Sequence, residues 1–136
     1  MIGMIVAGHG RFGSGITSVL ELVAGRPADY QWIDFEQGES QEELEEAFRE
    51  KLRALKPCEK IVIFTDVAGG SPYKTALMCA FEDQRLEVVS GTSVPVLLEF
   101  AFGRMEGDPG RDLTEQALRA GREQIARVDR KAFEAQ

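Results

Sequence analysis

Apolar residues gather in four short runs along the chain: IGMIVA at 2–7, YQWIDF at 30–35, KIVIFTD at 60–66 and LEVVSG at 86–91. Each is rich in β-branched or aromatic side chains, and the first and third are almost unbroken, as parallel strands buried on both faces tend to be. Between the runs the period becomes helical. Ile16, Val19, Leu20 and Val23 recur at i, i+3, i+4 and i+7 and predict an inward face, with Gly25 and Pro27 to stop the helix. The segment SQEELEEAFREKLRALK sets Leu44, Phe48, Leu52 and Leu55 on one face and opens on the capping box Ser40-x-x-Glu43. A third helix is expected at Ser71-Pro72, with Ser71 as N-cap and Pro72 in the first helical position. A fourth should follow GTSVP, with Val94, Leu97, Leu98 and Ala101 facing inward, and a polar last one should run from about Asp112 toward Val128. Strict strand–helix alternation implies right-handed crossovers and an α/β fold: a central, mainly parallel sheet with helices on both faces. The loop GRMEGDPGRD at 103–112 reads as an exposed turn.

Composition narrows the function classes. At 136 residues with 43% apolar content the chain suits one packed domain. Sixteen Lys and Arg against 23 Asp and Glu give a formal charge of −7, with the basic residues scattered, which argues against a nucleic-acid partner. No apolar run approaches the roughly 20 residues of a membrane span, and the start MIGMIVAGHG lacks the marks of a signal peptide, so a cytoplasmic location is expected. Cys58 and Cys79 suggest reduced thiols, Cys79 packed in a helix, with neither a disulfide framework nor a zinc site. The run Glu42, Glu43, Glu45 and Glu46 reads as the wet face of a helix, because successive helical positions diverge and do not converge on one ion.

Ligands of an open parallel sheet bind beyond the carboxyl ends of its strands, where strand order reverses. Three loops leave in that direction: GHGRFGSG, DVAGGSP and GTSVP. If the strand order is 2-1-3-4, the first and third strands are neighbours and His9, the only histidine, comes beside Asp66. A carboxylate that accepts the proton of one ring nitrogen leaves the other free as a nucleophile. Gly69 and Gly70 then allow close backbone approach, Ser71 offers a hydroxyl, and the following helix start favours an anion, so a phosphoryl group on His9 would be cradled there. Taken singly, each feature has a plainer reading: a structural histidine, an aspartate ending a strand, a common way into a helix. The glycines are neither a Walker loop nor a dinucleotide fingerprint.

These residues carry a resemblance. From residue 2 to about 128 the chain resembles the IIA component of the mannose-type class of the bacterial phosphoenolpyruvate-dependent sugar phosphotransferase system. The shared motifs, in order, are a strand into GHG, WIDF followed by GES, FTDVAGGSP, and VVSGTSVPVLLE. The resemblance implies a single IIA domain over 1–130 with 131–136 as a tail. Its sheet would have the order 2-1-3-4 plus an antiparallel strand exchanged between subunits of a homodimer, although Gly121 to Val128 looks helical by spacing. It also implies that His9 takes a phosphoryl group on Nε2 from the carrier HPr and passes it to a IIB component, with sugar uptake and phosphorylation following. Asp66 orients His9, and Ser71 lies beside the phosphoryl group. The membrane components IIC and IID are then met only indirectly, the IIB component is a separate chain, and no cofactor or metal is required.

The chain departs from the family pattern at Ala68, where many relatives are bulky, and at Lys74 and Ser93, where asparagine is customary. Lys74 is a candidate contact to the phosphoryl group or a partner, against the plainer reading of a solvated lysine. Arg11, Phe12 and Ser93 are candidates for docking a partner. Three rival readings share some of these features. Histidine phosphatases need an arginine where Gly8 stands and a second histidine. The phosphotransfer subunit of the phosphoenolpyruvate-dependent dihydroxyacetone kinase has a similar fold and histidine. A regulatory module could keep the fold without the transfer.

Overall fold

A computed structural model describes residues 1–108 and 110–134. They fall into two compact units, Met1–Val94 and Pro95–Gln136. The first is built in the order β1 (Ile2–His9), α1 (Phe12–Ala24), β2 (Tyr30–Phe35), α2 (Gln41–Ala54), β3 (Lys60–Thr65), α3 (Ser71–Glu82) and β4 (Leu86–Val89). The four strands form one parallel sheet in the order β2-β1-β3-β4. Strand order reverses between β1 and β3, where Ala7 pairs with Thr65 at the last rung.

Alternation along the strands decides the layers. Ile5, Ala7, Ile33, Ile61 and Ile63 point to one face and join Leu44, Phe48 and Leu55 from α2 and its end with Ala76 of α3 in a single buried cluster. On the opposite face α1 lies so close that a Cβ on Gly8 would stand 2.5 Å from the Phe12 ring. Burial of each such branched or aromatic side chain stabilises by roughly 1.5–3 kcal/mol, so the nearly unbroken runs in β1 and β3 are a main source of stability. α2 begins with the expected capping box: Glu43 N–H donates to Ser40 Oγ at 3.1 Å, and Ser40 N–H donates to Glu43 Oε1 at 3.2 Å.

Two expectations about helices change. The buried residues of α1 are Gly13, Thr17 and Leu20, while Val19 and Val23 are exposed. The inward face is turned from the apolar stripe because Gly13 permits contact with β2 and Thr17 Oγ1 bonds the Tyr30 hydroxyl at 2.7 Å. α3 takes Gly70 as its N-cap, so Ser71 is the first helical residue and Pro72 the second. Cys58 is buried and Cys79 half-buried on α3, both as thiols.

The second unit holds most of α4 (Val94–Met105), then α5 (Leu113–Gln124) and α6 (Arg130–Glu134). α4 buries Val96, Leu97, Phe100, Ala101 and Gly103; the expected Val94 and Leu98 are only half-buried. It also runs two residues past Gly103, into the segment expected as an exposed turn; Pro109 of that segment lies outside the described residues. Asp112 caps α5 through Glu115 N–H at 3.1 Å. The helix ends at Gln124, short of the expected Val128, and Ile125 and Val128 are exposed, so burial supplies no reason to extend it. Of the expected tail at 131–136, residues 135 and 136 lie outside the described residues. No described helix is long and apolar enough to cross a membrane.

Candidate functional site

β1 and β3 end side by side and release His9 and Asp66 from adjacent positions of the sheet. One carboxylate oxygen, Asp66 Oδ2, accepts from the His9 backbone N–H at 2.8 Å and lies 2.9 Å from His9 Nδ1. Ionised Asp66 can only accept, so the ring proton belongs on Nδ1 and Nε2 carries a free lone pair. The other oxygen accepts from Val67 N–H at 2.8 Å. Burial opposes ionisation of Asp66, but the His9 backbone N–H, the His9 ring and the Val67 N–H together outweigh it and hold the carboxyl below its ordinary value of 3.8. The His9 side chain is 47% exposed and that of Asp66 only 13%, so the ring is open to a second molecule while its orienting group is sheltered.

The DVAGGSP loop closes against the ring. A Cβ on Gly70 would collide with His9 Cε1 and stand 3.1 Å from Nε2, so only glycine fits beneath the imidazole. Gly69 adopts φ +87°, which also favours glycine. Among the described residues no side-chain hydrogen bond caps α3. Its first intrahelical bond is Lys74 N–H to the Gly70 carbonyl at 2.9 Å, which leaves the N–H groups of Ser71 and Tyr73 ahead of the ladder. These groups and the positive end of the helix dipole make the loop beside Nε2 receptive to an anion. The loop after β4 is tied to the same place, since Gly91 N–H donates to the Asp66 carbonyl at 2.9 Å and Thr92 N–H to Thr65 at 3.1 Å.

The structure brings His9, Asp66, Gly69, Gly70 and Ser71 together and leaves the other candidates around them. Ser71 is half-buried at the start of α3, and Lys74 is exposed in its first turn. Arg11 is exposed and paired with Glu36 at 3.0 Å. Phe12 is half-buried over Gly8, Ser93 is half-buried just before α4, and Ala68 is exposed. Sequence reasoning passed over three neighbours. The Phe35 ring lies 6.3 Å from the His9 ring, centroid to centroid, at 56°. Asp34 and Ser14 meet at the start of α1, where Ser14 N–H donates to Asp34 Oδ1 at 2.8 Å and Ser14 Oγ to Oδ2 at 2.6 Å. The available signal was weak: Arg11 is an unsuited N-cap, and WIDF puts an acid at a strand end. Among the described residues no three His, Cys, Asp or Glu side chains gather to hold a metal ion.

Comparison with known proteins shows the family. Residues 3–117 match the family model EIIA-man, described as the PTS system fructose IIA component. The mannose-specific EIIAB component of the phosphotransferase system from Escherichia coli K12 is 29% identical over 134 residues, covering 98% of this chain and 41% of that protein. The chain thus spans less than half of that relative's length. The fructose-specific EIIA component from Bacillus subtilis is 29% identical over 99 residues, or 73% of this chain and 68% of the relative. A crystal structure of phosphotransferase system component EIIA from Streptococcus agalactiae superposes with a TM-score of 0.83 at 29% identity, covering 97% of this chain and 99% of that one.

Proposed function

The chain belongs to the fructose- and mannose-type IIA family of the phosphotransferase system, and from that premise we propose that it is a phosphocarrier whose acceptor is His9. One observation carries the reading: Nδ1 is held by Asp66 at 2.9 Å, which turns the unprotonated Nε2 toward the uncapped start of α3. In the transfer, the Nε2 lone pair attacks phosphorus and the bond from phosphorus to the donor breaks. Positive charge grows on the ring, and Asp66 stabilises it without taking the proton. Gly69 and Gly70 leave room for the phosphoryl oxygens, and Ser71 and the first N–H groups of α3 receive them. Lys74, exposed in the same turn, adds a cation near that charge.

HPr supplies the phosphoryl group, and a IIB component takes it on toward sugar uptake and phosphorylation, with IIC and IID reached only through IIB. Arg11, Phe12 and Ser93 form part of the docking surface. The protein works in the cytoplasm as a homodimer, with an antiparallel strand exchanged between subunits; sedimentation measures that state. Incubation with phosphoenolpyruvate and the general phosphotransferase proteins should place one phosphoryl group on the chain, acid-labile and base-stable. His9→Ala should remove it. Wild-type protein that takes no label, or a variant that keeps it, overturns the reading.

A further inference from the structure

The turn that follows His9 has only two residues, Gly10 and Arg11, before α1 begins. A turn that short places the histidine wherever the helix start is held. Yet α1 supplies no cap of its own, because Arg11 occupies the N-cap position and its side chain, turned to Glu36, makes no capping hydrogen bond. The cap comes from β2, twenty residues away. Asp34 accepts the Ser14 N–H at 2.8 Å and the Ser14 hydroxyl at 2.6 Å, one on each carboxylate oxygen.

Two glycines permit this approach. A Cβ on Gly13 would stand 2.5 Å from the Ile33 carbonyl oxygen and 2.9 Å from Asp34 Oδ1, and one on Gly8 would strike the Phe12 ring. On the other flank Gly10 N–H donates to the Phe35 carbonyl at 2.7 Å and Phe35 N–H to the Gly10 carbonyl at 3.2 Å. Successive residues of β2 therefore grip both sides of the turn: Asp34 holds the helix start, while the Phe35 backbone holds Gly10 and its ring lies near the imidazole.

We infer that Asp34 is a positioning residue for His9, acting through Ser14 and the β1–α1 turn; this rests on the phosphocarrier reading above. Both His9 bonds to Asp66 end on the single atom Oδ2. A displacement of the His9 backbone lengthens both together, which loosens the ring and releases its tautomer. The carboxylate at the positive end of α1 also favours the charged cap over a neutral one.

The test has two arms. In the unphosphorylated protein, nitrogen-15 NMR of the His9 ring should show a fixed Nδ1–H tautomer. Asp34→Ala should convert it to a mixture and speed amide exchange from Gly10 to Ser14. With a phosphorylated donor, Asp34→Ala should slow transfer by about 10- to 100-fold, the scale set by misplacing a reacting group by up to an ångström. Asp34→Asn, which can still accept from Ser14 N–H, should recover most of both signals. If Asp34→Ala fails to fold, Ser14→Ala removes the hydroxyl's bonds to Asp34 and to the Arg11 carbonyl but keeps the N–H bond, and should move both readouts in the same direction by a few-fold. Ring signals and transfer rates unchanged in the folded variant overturn the inference. Wild-type protein that is never phosphorylated overturns the phosphocarrier reading instead, and the ring spectra still decide the role of Asp34.

Discussion

α1 and α3 both start beside His9, and they treat their first N–H groups in opposite ways. α1 has its third helical N–H, that of Ser14, occupied by Asp34 at 2.8 Å, so its positive end is already neutralised. At α3 no side chain among the described residues takes that part, and the helix opens from Gly70 directly beneath the imidazole. A single anion has two helix starts within the neighbourhood of the ring, and only one is vacant. The difference separates an anchor from a receiver: one helix fixes where the histidine stands, the other faces what the histidine would carry. α2 and α5, whose starts are closed by Ser40 and Asp112, show that side-chain capping is available to this chain where nothing else is needed.

The largest expected effect comes from unsettling the ring. Asp66→Asn should fold normally and slow phosphoryl transfer by about 10²- to 10⁴-fold, as when an orienting carboxylate is lost; rapid-quench labelling at unchanged rate would reduce Asp66 to a structural role. Gly70→Ala comes next, since its methyl collides with His9 Cε1. Displacing the ring should cost on the order of 10²-fold in transfer with the circular dichroism spectrum kept. Ser71→Asp sharpens the comparison most directly, because it gives α3 the acid that Asp34 gives α1. Thermal unfolding should show a gain of about 0.3–1 kcal/mol from charge at a helix start. Transfer should fall, because that acid repels the incoming phosphoryl group. A faster Ser71→Asp would show that α3 is not the receiver.

The smallest effect is on acid stability. The Asp66 carboxyl titrates below its ordinary value of 3.8 in the folded protein, so its contribution is present above that pH and is lost as pH falls through the folded value. Unfolding curves from pH 5 down to 2 should therefore be steeper for the wild type than for Asp66→Asn. Equal slopes would mean that the carboxylate gains nothing from its three N–H partners.

Parts of the molecule settled by near neighbours were legible in the residues. The capping box of α2 needs only a serine and a glutamate three positions apart, and the structure shows both of its bonds. Strand identity in β1 and β3 follows from runs of apolar residues that no helix period explains. Features set by distant contacts were not legible in the same way. Ile16, Val19, Leu20 and Val23 form a good helical stripe, yet Gly13, Thr17 and Leu20 are what α1 buries, because a glycine contact and a hydroxyl bond to Tyr30 outweigh the stripe. In the same way Gly70 reads as a glycine that lets a ligand approach, and only the structure sets the ring of His9, 61 positions away, against it.

By itself, then, the sequence determined the alternating elements, their parallel character and the likeness of its motifs to those of a phosphotransferase IIA component. These depend on spacing within one element or on short motifs, and neighbouring residues decide them. Tertiary structure alone decided how closely His9 Nδ1 is held, which glycine must stay a glycine and which acid caps α1. Each of those depends on atoms 20 to 61 positions apart that the sheet register brings within hydrogen-bonding or van der Waals reach, and no local pattern encodes such a distance.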